Sequence, residues 1–274
     1  MSARYAVIGN PVAHSKSPEI HAAFARQTGQ DMSYEAMLAP LDGFAAAVKD
    51  FINHGGRGMN VTLPFKEQAF QLAAPNVSVR AGAAGAVNTL SFDEGAIAGD
   101  NTDGTGLIRD IQFNLLRATL TGLRILLLGA GGAARGVILP LLMFKPVLLT
   151  VANRTLSKAQ ALEQRFAQHG NIKASAYAAL AGKQYDLVIN ATSASVAGAL
   201  PPLPENIFAA DALAYDLMYG QGLTPFLQFA QRQGAARLAD GTGMLVEQAA
   251  ESFYFWRGMR PDTAPVIARL KSKE

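Results

Sequence analysis

The sequence predicts an α/β protein built as two lobes, and three observations carry that expectation. At 274 residues the chain exceeds the roughly 150 residues of an average domain, so two ordinary domains fit better than one large one. Short apolar segments bounded by Gly, Asn or Pro alternate with longer Ala-rich stretches, the βαβ rhythm of a sheet with helices on both faces. The continuous apolar run Arg124 to Leu128 leads directly into GAGGAARG and a helical pattern, which opens a second α/β unit in mid-chain. With 50% hydrophobic and 16% charged residues the chain has material for a large core and is excluded from the disordered class.

The elements follow in order. A strand at Arg4–Ile8 precedes a helix from Pro18 to about Thr28, then a strand at Ser33–Leu38 and a helix near Leu41–Asn53. A strand at Gly58–Val61, a helix opening at Pro64, and two short strands at Ala86–Phe92 and Ala96–Ala98 complete the first lobe. Ser17-Pro18 and Leu63-Pro64 each put proline at a first helical position, where its missing N–H costs nothing. Asp103 to Leu116 carries Leu107, Ile108, Ile111 and Leu115 at helical spacing and reads as an amphipathic connector. After the strand at Arg124–Leu128 and its helix come strands at Val147–Ala152, Asp186–Asn190, Ala212–Asp216 and Ala236–Leu238. A long helix from Gly243 to Trp256 and a short one at Pro265–Leu270 end the chain and are free to return to the first lobe.

Composition narrows the chemistry. There is no cysteine, which removes disulfides, thiolate catalysis and Cys-based metal sites. The four histidines, His14, His21, His54 and His169, have no metal-ligand spacing and are read as structural or solvated, so no metal is expected. With a net charge of only +3 a nucleic-acid binder is not the default reading, and no apolar run reaches the roughly 20 residues that span a bilayer. The N-terminus lacks the features of a secretion signal, so a cytoplasmic protein without nucleic-acid or membrane partners is expected, as monomer or homodimer.

Gly129-Ala130-Gly131-Gly132-Ala133-Ala134 matches the G-x-G-x-x-G/A fingerprint in the context it requires, with an apolar strand before and a helix after. Gly129 permits the tight turn, Gly131 lets the backbone approach a pyrophosphate, and Ala134 allows the helix to pack close on the strand. The helix N-terminus offers free N–H groups and a positive dipole to the phosphates. The alternative is a glycine turn that merely joins strand to helix. An NAD enzyme would carry an acid near the end of the next strand to accept from the adenosine ribose. This chain has Asn153-Arg154-Thr155 there, with Lys158 one turn on, and a guanidinium suits a 2′-phosphate. A Rossmann-type domain binding NADP is therefore expected. The alternative for Arg154 is a solvated corner residue, with Thr155 as a helix cap.

The first lobe carries His14-Ser15-Lys16-Ser17-Pro18, Asn60-Val61-Thr62-Leu63-Pro64-Phe65-Lys66, Gly85-Ala86-Val87-Asn88-Thr89 and Asp100-Asn101-Thr102-Asp103-Gly104. Farther on stand Asn190-Ala191-Thr192-Ser193, Asp216-Leu217-Met218-Tyr219 and a segment from Asp240 through Gly241 to Gln248. With these motifs in this order the whole chain closely resembles the shikimate dehydrogenase family, whose members reduce 3-dehydroshikimate to shikimate with NADPH. The resemblance implies that Lys66 and Asp103 are the catalytic pair. A proton donor must lie within hydrogen-bond reach of the oxygen that gains charge when hydride reaches a ketone. The start of a helix disfavours the Lys66 ammonium while Asp103 favours it, so which of the two delivers the proton stays open.

The resemblance further implies that Ser15 and Ser17 hold the substrate carboxylate, with Tyr219 adding a phenolic hydroxyl to that region. Asn60, Thr62, Asn88 and Gln248 match polar positions around the ring hydroxyls, where amides both donate and accept. Turn and cap roles are the alternatives, most seriously for Asn60. Thr192, Ser193, Leu217 and Gly241 align with segments lining the dinucleotide, with leucine standing where a methionine-type residue is usual. One departure is that Ala73–Val79 lacks the acid some members place near the cofactor. The division implied is a substrate domain of residues 1–102 and 243–274 around an NADP domain of residues 103–242. A quinate/shikimate dehydrogenase using NAD, and a regulatory dinucleotide-binding module without catalysis, are the alternatives.

Overall fold

The computed structural model describes residues 2–93, 95–116, 119–192 and 199–272. The chain divides into two compact units, one of Met1–Gly106 with Leu245–Arg269 and one of Leu107–Met244 with Leu270–Glu274. In the first, β1 (Ala3–Gly9), β2 (Met32–Leu38), β3 (Gly56–Val61), β4 (Thr89–Asp93) and β5 (Ala96–Asp100) form a sheet of order β2-β1-β3-β4-β5. β1 runs parallel to β2 and β3, and β4 is antiparallel to both β3 and β5. Helices α1 (Ser17–Thr28), α2 (Phe44–Asn53), α3 (Lys66–Ala73) and α4 (Val79–Ala84) belong to this unit. Its core gathers Ile8, Phe44, Phe51, Met59, Phe65 and Leu90, with Phe44 and Phe65 stacked at 5.1 Å.

After β5 in the chain, α5 (Asp103–Arg109) continues as a π-helix over Asp110–Leu116. The second unit then holds β6 (Arg124–Leu128), α6 (Gly132–Met143), β7 (Leu148–Ala152), α7 (Leu156–Phe166), β8 (Ile172–Ser175), β9 (Tyr185–Asn190), β10 (Phe208–Asp216), α8 (Pro225–Arg232) and β11 (Arg237–Ala239). Its six strands pair in parallel in the order β11-β10-β9-β6-β7-β8. The order reverses between β6 and β9, the doubly wound arrangement that binds ligands beyond the carboxyl ends of its strands. Leu126, Leu127 and Leu128 are fully buried, as strands covered on both faces require. Helices α9 (Thr242–Arg257) and α10 (Ala264–Lys271) follow, and among the described residues no helix is long and apolar enough to cross a membrane.

The structure corrects several boundaries. The helix expected to open at Pro64 starts at Lys66. Residues 62–65 form a turn closed by Phe65 N–H to the Thr62 carbonyl, and Phe65 is buried in the core, so the helix begins only beyond it. Proline is near the first turn of α1 as expected, but Lys16 and not Ser17 occupies the cap position. The connector is not one α-helix. It widens at Asp110, whose carboxylate is buried and accepts from Tyr215 Oη at 2.7 Å and Asn114 Nδ2 at 2.9 Å. Residues 86–88 lie outside β4, because Val87 N–H is given to the Lys66 carbonyl at 2.9 Å. Helix α2 begins three residues later than expected, after a turn in which Gly43 N–H bonds the Pro40 carbonyl. Helices α4 and α8 and strand β8 were not anticipated. All three are short, and the first two are capped by Ser78 and Thr224, whose hydroxyls accept from Ala81 N and Leu227 N.

Candidate active site

Lys66 opens α3 and Asp103 opens α5, and their side chains meet with Nζ 2.6 Å from Oδ2. Both are largely sheltered, with the lysine side chain 22% and the aspartate side chain 10% exposed. The other carboxylate oxygen of Asp103 accepts from Asn88 Nδ2 at 2.8 Å. Asn88 is itself fixed, since its Oδ1 accepts from Thr102 N at 2.8 Å and from Thr89 Oγ1 at 2.9 Å. Gln248 on α9 closes the group, with Oε1 3.3 Å from Asn88 Nδ2 and 3.4 Å from Thr102 Oγ1. Close packing brings it there, because a Cβ on Gly106 would lie 2.6 Å from that of Gln248. Four residues named from sequence, Lys66, Asn88, Asp103 and Gln248, thus form one polar cluster within the first unit.

Asn60, at the end of β3, is buried behind this cluster. Its Oδ1 accepts from Tyr34 Oη at 2.7 Å, and its Nδ2 faces Ser252 Oγ at 2.9 Å, Thr89 Oγ1 at 3.1 Å and the Asn88 carbonyl at 3.2 Å. Thr62 follows β3, with its backbone N–H bonded to the Ile8 carbonyl and its side chain packed over Gly9, where a Cβ would come within 2.3 Å. Ser15 and Ser17 flank the start of α1. Ser15 Oγ accepts from Ser17 N at 3.2 Å, so Ser15 holds the turn that presents the buried Ser17 at the helix opening. Tyr219 follows β10 and belongs to the second unit.

Beneath Ser17 and Asn60 lies His21, fully buried and stacked on Tyr34 at 4.2 Å and 8°. Neither ring nitrogen has a partner in good hydrogen-bond geometry, and burial, opposed by the neighbouring Asn60 side chain, pulls its pKa from 6.5 down to about 3, so it is a neutral packing group. Among the described residues no group of His, Cys, Asp and Glu could hold a metal.

A second ionic group braces the segment that ends in Asp103. Arg80 bonds Asp100 through Nε at 2.8 Å and Nη2 at 2.5 Å, and reaches Glu251 at 3.0 Å. Burial pushes the Asp100 carboxyl upward, but the hydrogen bonds and charge of Arg80, with help from Ser78 and the Asn101 N–H, hold it below the usual carboxylate range. Arg260 joins Glu251 to the buried Glu247, on either side of Gln248. Neither Arg80 nor Arg260 belongs to a motif that points to this role, and their partners lie up to 171 residues away. Tyr34 and Ser252 belong to no such motif either, and Thr89 stands in one without a role assigned to it. A buried asparagine demands partners, but the sequence does not say which they are.

In the second unit the glycine motif takes the expected form. Gly129 has φ +106°, and a Cβ there would lie 3.1 Å from the Ala191 carbonyl oxygen. Gly131 caps α6 in extended conformation, and a Cβ on it would meet nothing within 4 Å, so the mouth of the turn is open. Ala130, Gly132 and Ala133 remain partly or fully exposed while Ala134 is buried. The first N–H groups of α6 have no acceptor within the helix. At the end of β7, Asn153 Nδ2 bonds the Thr155 carbonyl at 2.9 Å. Thr155 stands at the cap position of α7, but its hydroxyl makes no cap hydrogen bond. Arg154 and Lys158 are exposed, and the Arg154 charge reaches Tyr177, where it opposes the burial that raises that phenol.

Beyond β9 and β10 the remaining predicted residues converge. Thr192 Oγ1 bonds Asn190 Oδ1 at 2.7 Å, and Leu217 N–H bonds the Asn190 carbonyl at 2.9 Å. Gly241 approaches Leu217 so closely that a Cβ would sit 2.2 Å from its carbonyl oxygen. Ser193 lies outside the described residues. An open glycine turn, a helix N-terminus and the exposed basic side chains of Arg154 and Lys158 fit a dinucleotide carrying a 2′-phosphate.

Residues 7–90 match the shikimate dehydrogenase substrate binding domain, residues 113–197 the shikimate / quinate 5-dehydrogenase family, and residues 241–271 the shikimate 5′-dehydrogenase C-terminal domain. A shikimate dehydrogenase (NADP(+)) of Nitrosospira multiformis is 64% identical over 99% of this chain and 98% of its own. Among solved structures, an Ael1 enzyme from Pseudomonas putida is 52% identical with a TM-score of 0.93, covering 98% of both chains. Shikimate 5-dehydrogenase from Thermus thermophilus in complex with NADP(H) and shikimate is 34% identical with a TM-score of 0.85, covering 97% of both.

Proposed function

This chain belongs to the shikimate dehydrogenase family, and on that premise we propose that it interconverts 3-dehydroshikimate and shikimate with NADP(H), using Lys66 and Asp103 as its reacting pair. The observation that carries the reading is the 2.6 Å contact between Lys66 and Asp103, held by Asn88 at the second carboxylate oxygen. NADPH, held by the glycine turn of the second unit, would supply the hydride for the carbonyl carbon, so that charge would develop on its oxygen. Lys66 bears the proton that this oxygen takes up. Asp103 is not the donor, because both its oxygens already accept, one from Lys66 and one from Asn88, as an ionised carboxylate does. It orients the ammonium and accepts from a neighbouring ring hydroxyl.

Ser15, Ser17 and the first turn of α1 bind the substrate carboxylate. Thr62, Asn88 and Gln248 read the ring hydroxyls. In the second unit the turn from Gly129 through Ala130, Gly131, Gly132 and Ala133 cradles the pyrophosphate. Asn153, Arg154, Thr155 and Lys158 hold the 2′-phosphate end, and Thr192, Leu217 and Gly241 line the nicotinamide end. The substrate domain is then the first unit and the NADP domain the second. Mixing the protein with shikimate and NADP⁺ should raise absorbance at the reduced-nicotinamide band, with NAD⁺ much the poorer acceptor. Absence of turnover with either cofactor would refute the function, and equal rates would refute the cofactor preference.

A further inference from the structure

We infer that Tyr34 and Thr89 are positioning residues for Asp103, acting through a one-directional chain of hydrogen bonds that also accounts for Asn60. The inference rests on the reading of Lys66 and Asp103 as the reacting pair. The chain starts at Tyr34, on β2, whose hydroxyl donates to Asn60 Oδ1 at 2.7 Å. Burial raises this phenol well above its usual pKa of 10, with the Ser17 hydroxyl pulling the other way, so it stays a donor across the working pH range. The parallel ring of His21 fixes the angle of the tyrosine ring.

An asparagine side chain can turn either end toward a neighbour, and the group that donates to its oxygen decides which. With Oδ1 held by Tyr34, the Asn60 amide points Nδ2 at Thr89 Oγ1. Thr89 accepts there and, with Ser252 as the donor in the 2.8 Å contact between their hydroxyls, gives its own hydrogen to Asn88 Oδ1 at 2.9 Å. That contact, with Thr102 N–H on the same oxygen, turns Asn88 Nδ2 toward Asp103 Oδ1 at 2.8 Å. Four successive donors therefore point the same way and end on the carboxylate whose other oxygen holds Lys66. Hydrogen bonds aligned head to tail polarise one another in a low-dielectric interior, so the last link is strengthened by the first. Both hydrogens of the Asn60 amide are taken by acceptors of the protein, Thr89, Ser252 and the Asn88 carbonyl. Asn60 thus acts behind the site and not on a ring hydroxyl.

The test is steady-state kinetics with shikimate and NADP⁺ on Tyr34→Phe, Thr89→Val, Thr89→Ser and the Tyr34→Phe/Thr89→Val double variant, with thermal melts alongside. Each of Tyr34→Phe and Thr89→Val should lower kcat about tenfold, the scale of one hydrogen bond to a charged group, with both KM values changed by less. The double variant should be no slower than the poorer single one, because both changes cut the same chain. Thr89→Ser keeps the hydroxyl and should restore kcat. Losses that multiply in the double variant, or a serine no better than valine, would overturn the proposal. So would normal kcat in Tyr34→Phe, which keeps its ring and decides the matter even if Thr89→Val fails to fold. Lys66→Ala separates the two levels. Normal turnover there removes the underlying reading, whereas loss there with normal Tyr34→Phe removes only the chain.

Discussion

The polar cluster of the first unit and the glycine turn of the second are built on opposite principles. Around Lys66 and Asp103 every position is set by side chains that satisfy one another in near-complete burial, drawn from β2, β3, β4, α3, α5 and α9. At Gly129 to Ala134 the work is done by backbone, in one turn and the N-terminus of α6, with Arg154 and Lys158 standing in solvent nearby. A hydrogen-bonded interior site is intolerant, because removing one partner leaves the others desolvated and unmatched. A backbone site with exposed charges degrades gradually, since water replaces whatever side chain is lost.

If that contrast is right, the effects should fall in a definite order. Lys66→Ala removes the proposed proton donor from the buried cluster and should lower kcat by at least about 100-fold, as loss of a general acid does, with KM changed less. Steady-state rates near normal would break the comparison at its strongest point. The buried unit should also respond to acid. Folded His21 takes up a proton only near pH 3, whereas the unfolded chain does so near 6.5, so between those values the unfolded state binds more protons. Stability should therefore fall as pH drops below about 6.5, by up to about 1.4 kcal/mol per pH unit, and be flat in this respect above it. Urea unfolding from pH 4.5 to 7.5 should show this slope in the native chain and a shallower one in His21→Phe. Identical slopes would show that another group carries it. In the second unit, Arg154→Ala should raise KM for NADPH several-fold and leave that for NADH nearly unchanged, since only the 2′-phosphate loses a partner. Equal losses for both cofactors would assign Arg154 to general cofactor binding instead.

The same contrast explains what could be read in advance. The doubly wound unit announced itself through contiguous signals: the apolar run Arg124–Leu128, the glycines after it, and a strand end bearing Arg154 where an acid would mark NAD. Each of these lies within a few residues of its partner, so local pattern and backbone chemistry are enough. The helix expected at Pro64 and the uniform connector at Asp103–Leu116 went wrong where distant side chains intervene, Phe65 seeking the core and Asp110 seeking Tyr215. Short elements such as α4, β8 and α8 offer too few residues for a period to show.

By itself the sequence determined the fold class, the two α/β halves and the family, and it singled out Lys66, Asp103, Asn88 and Gln248 as candidates, because residue type and motif order are one-dimensional properties. Only the tertiary structure decided that Lys66 touches one oxygen of Asp103 while Asn88 takes the other, that Asn60 is committed to Tyr34, Thr89 and Ser252, and that Arg80 braces Asp100. Those are hydrogen bonds between residues far apart in the chain. Their directions depend on which donors and acceptors packing brings within reach, and that information exists only once the core has formed.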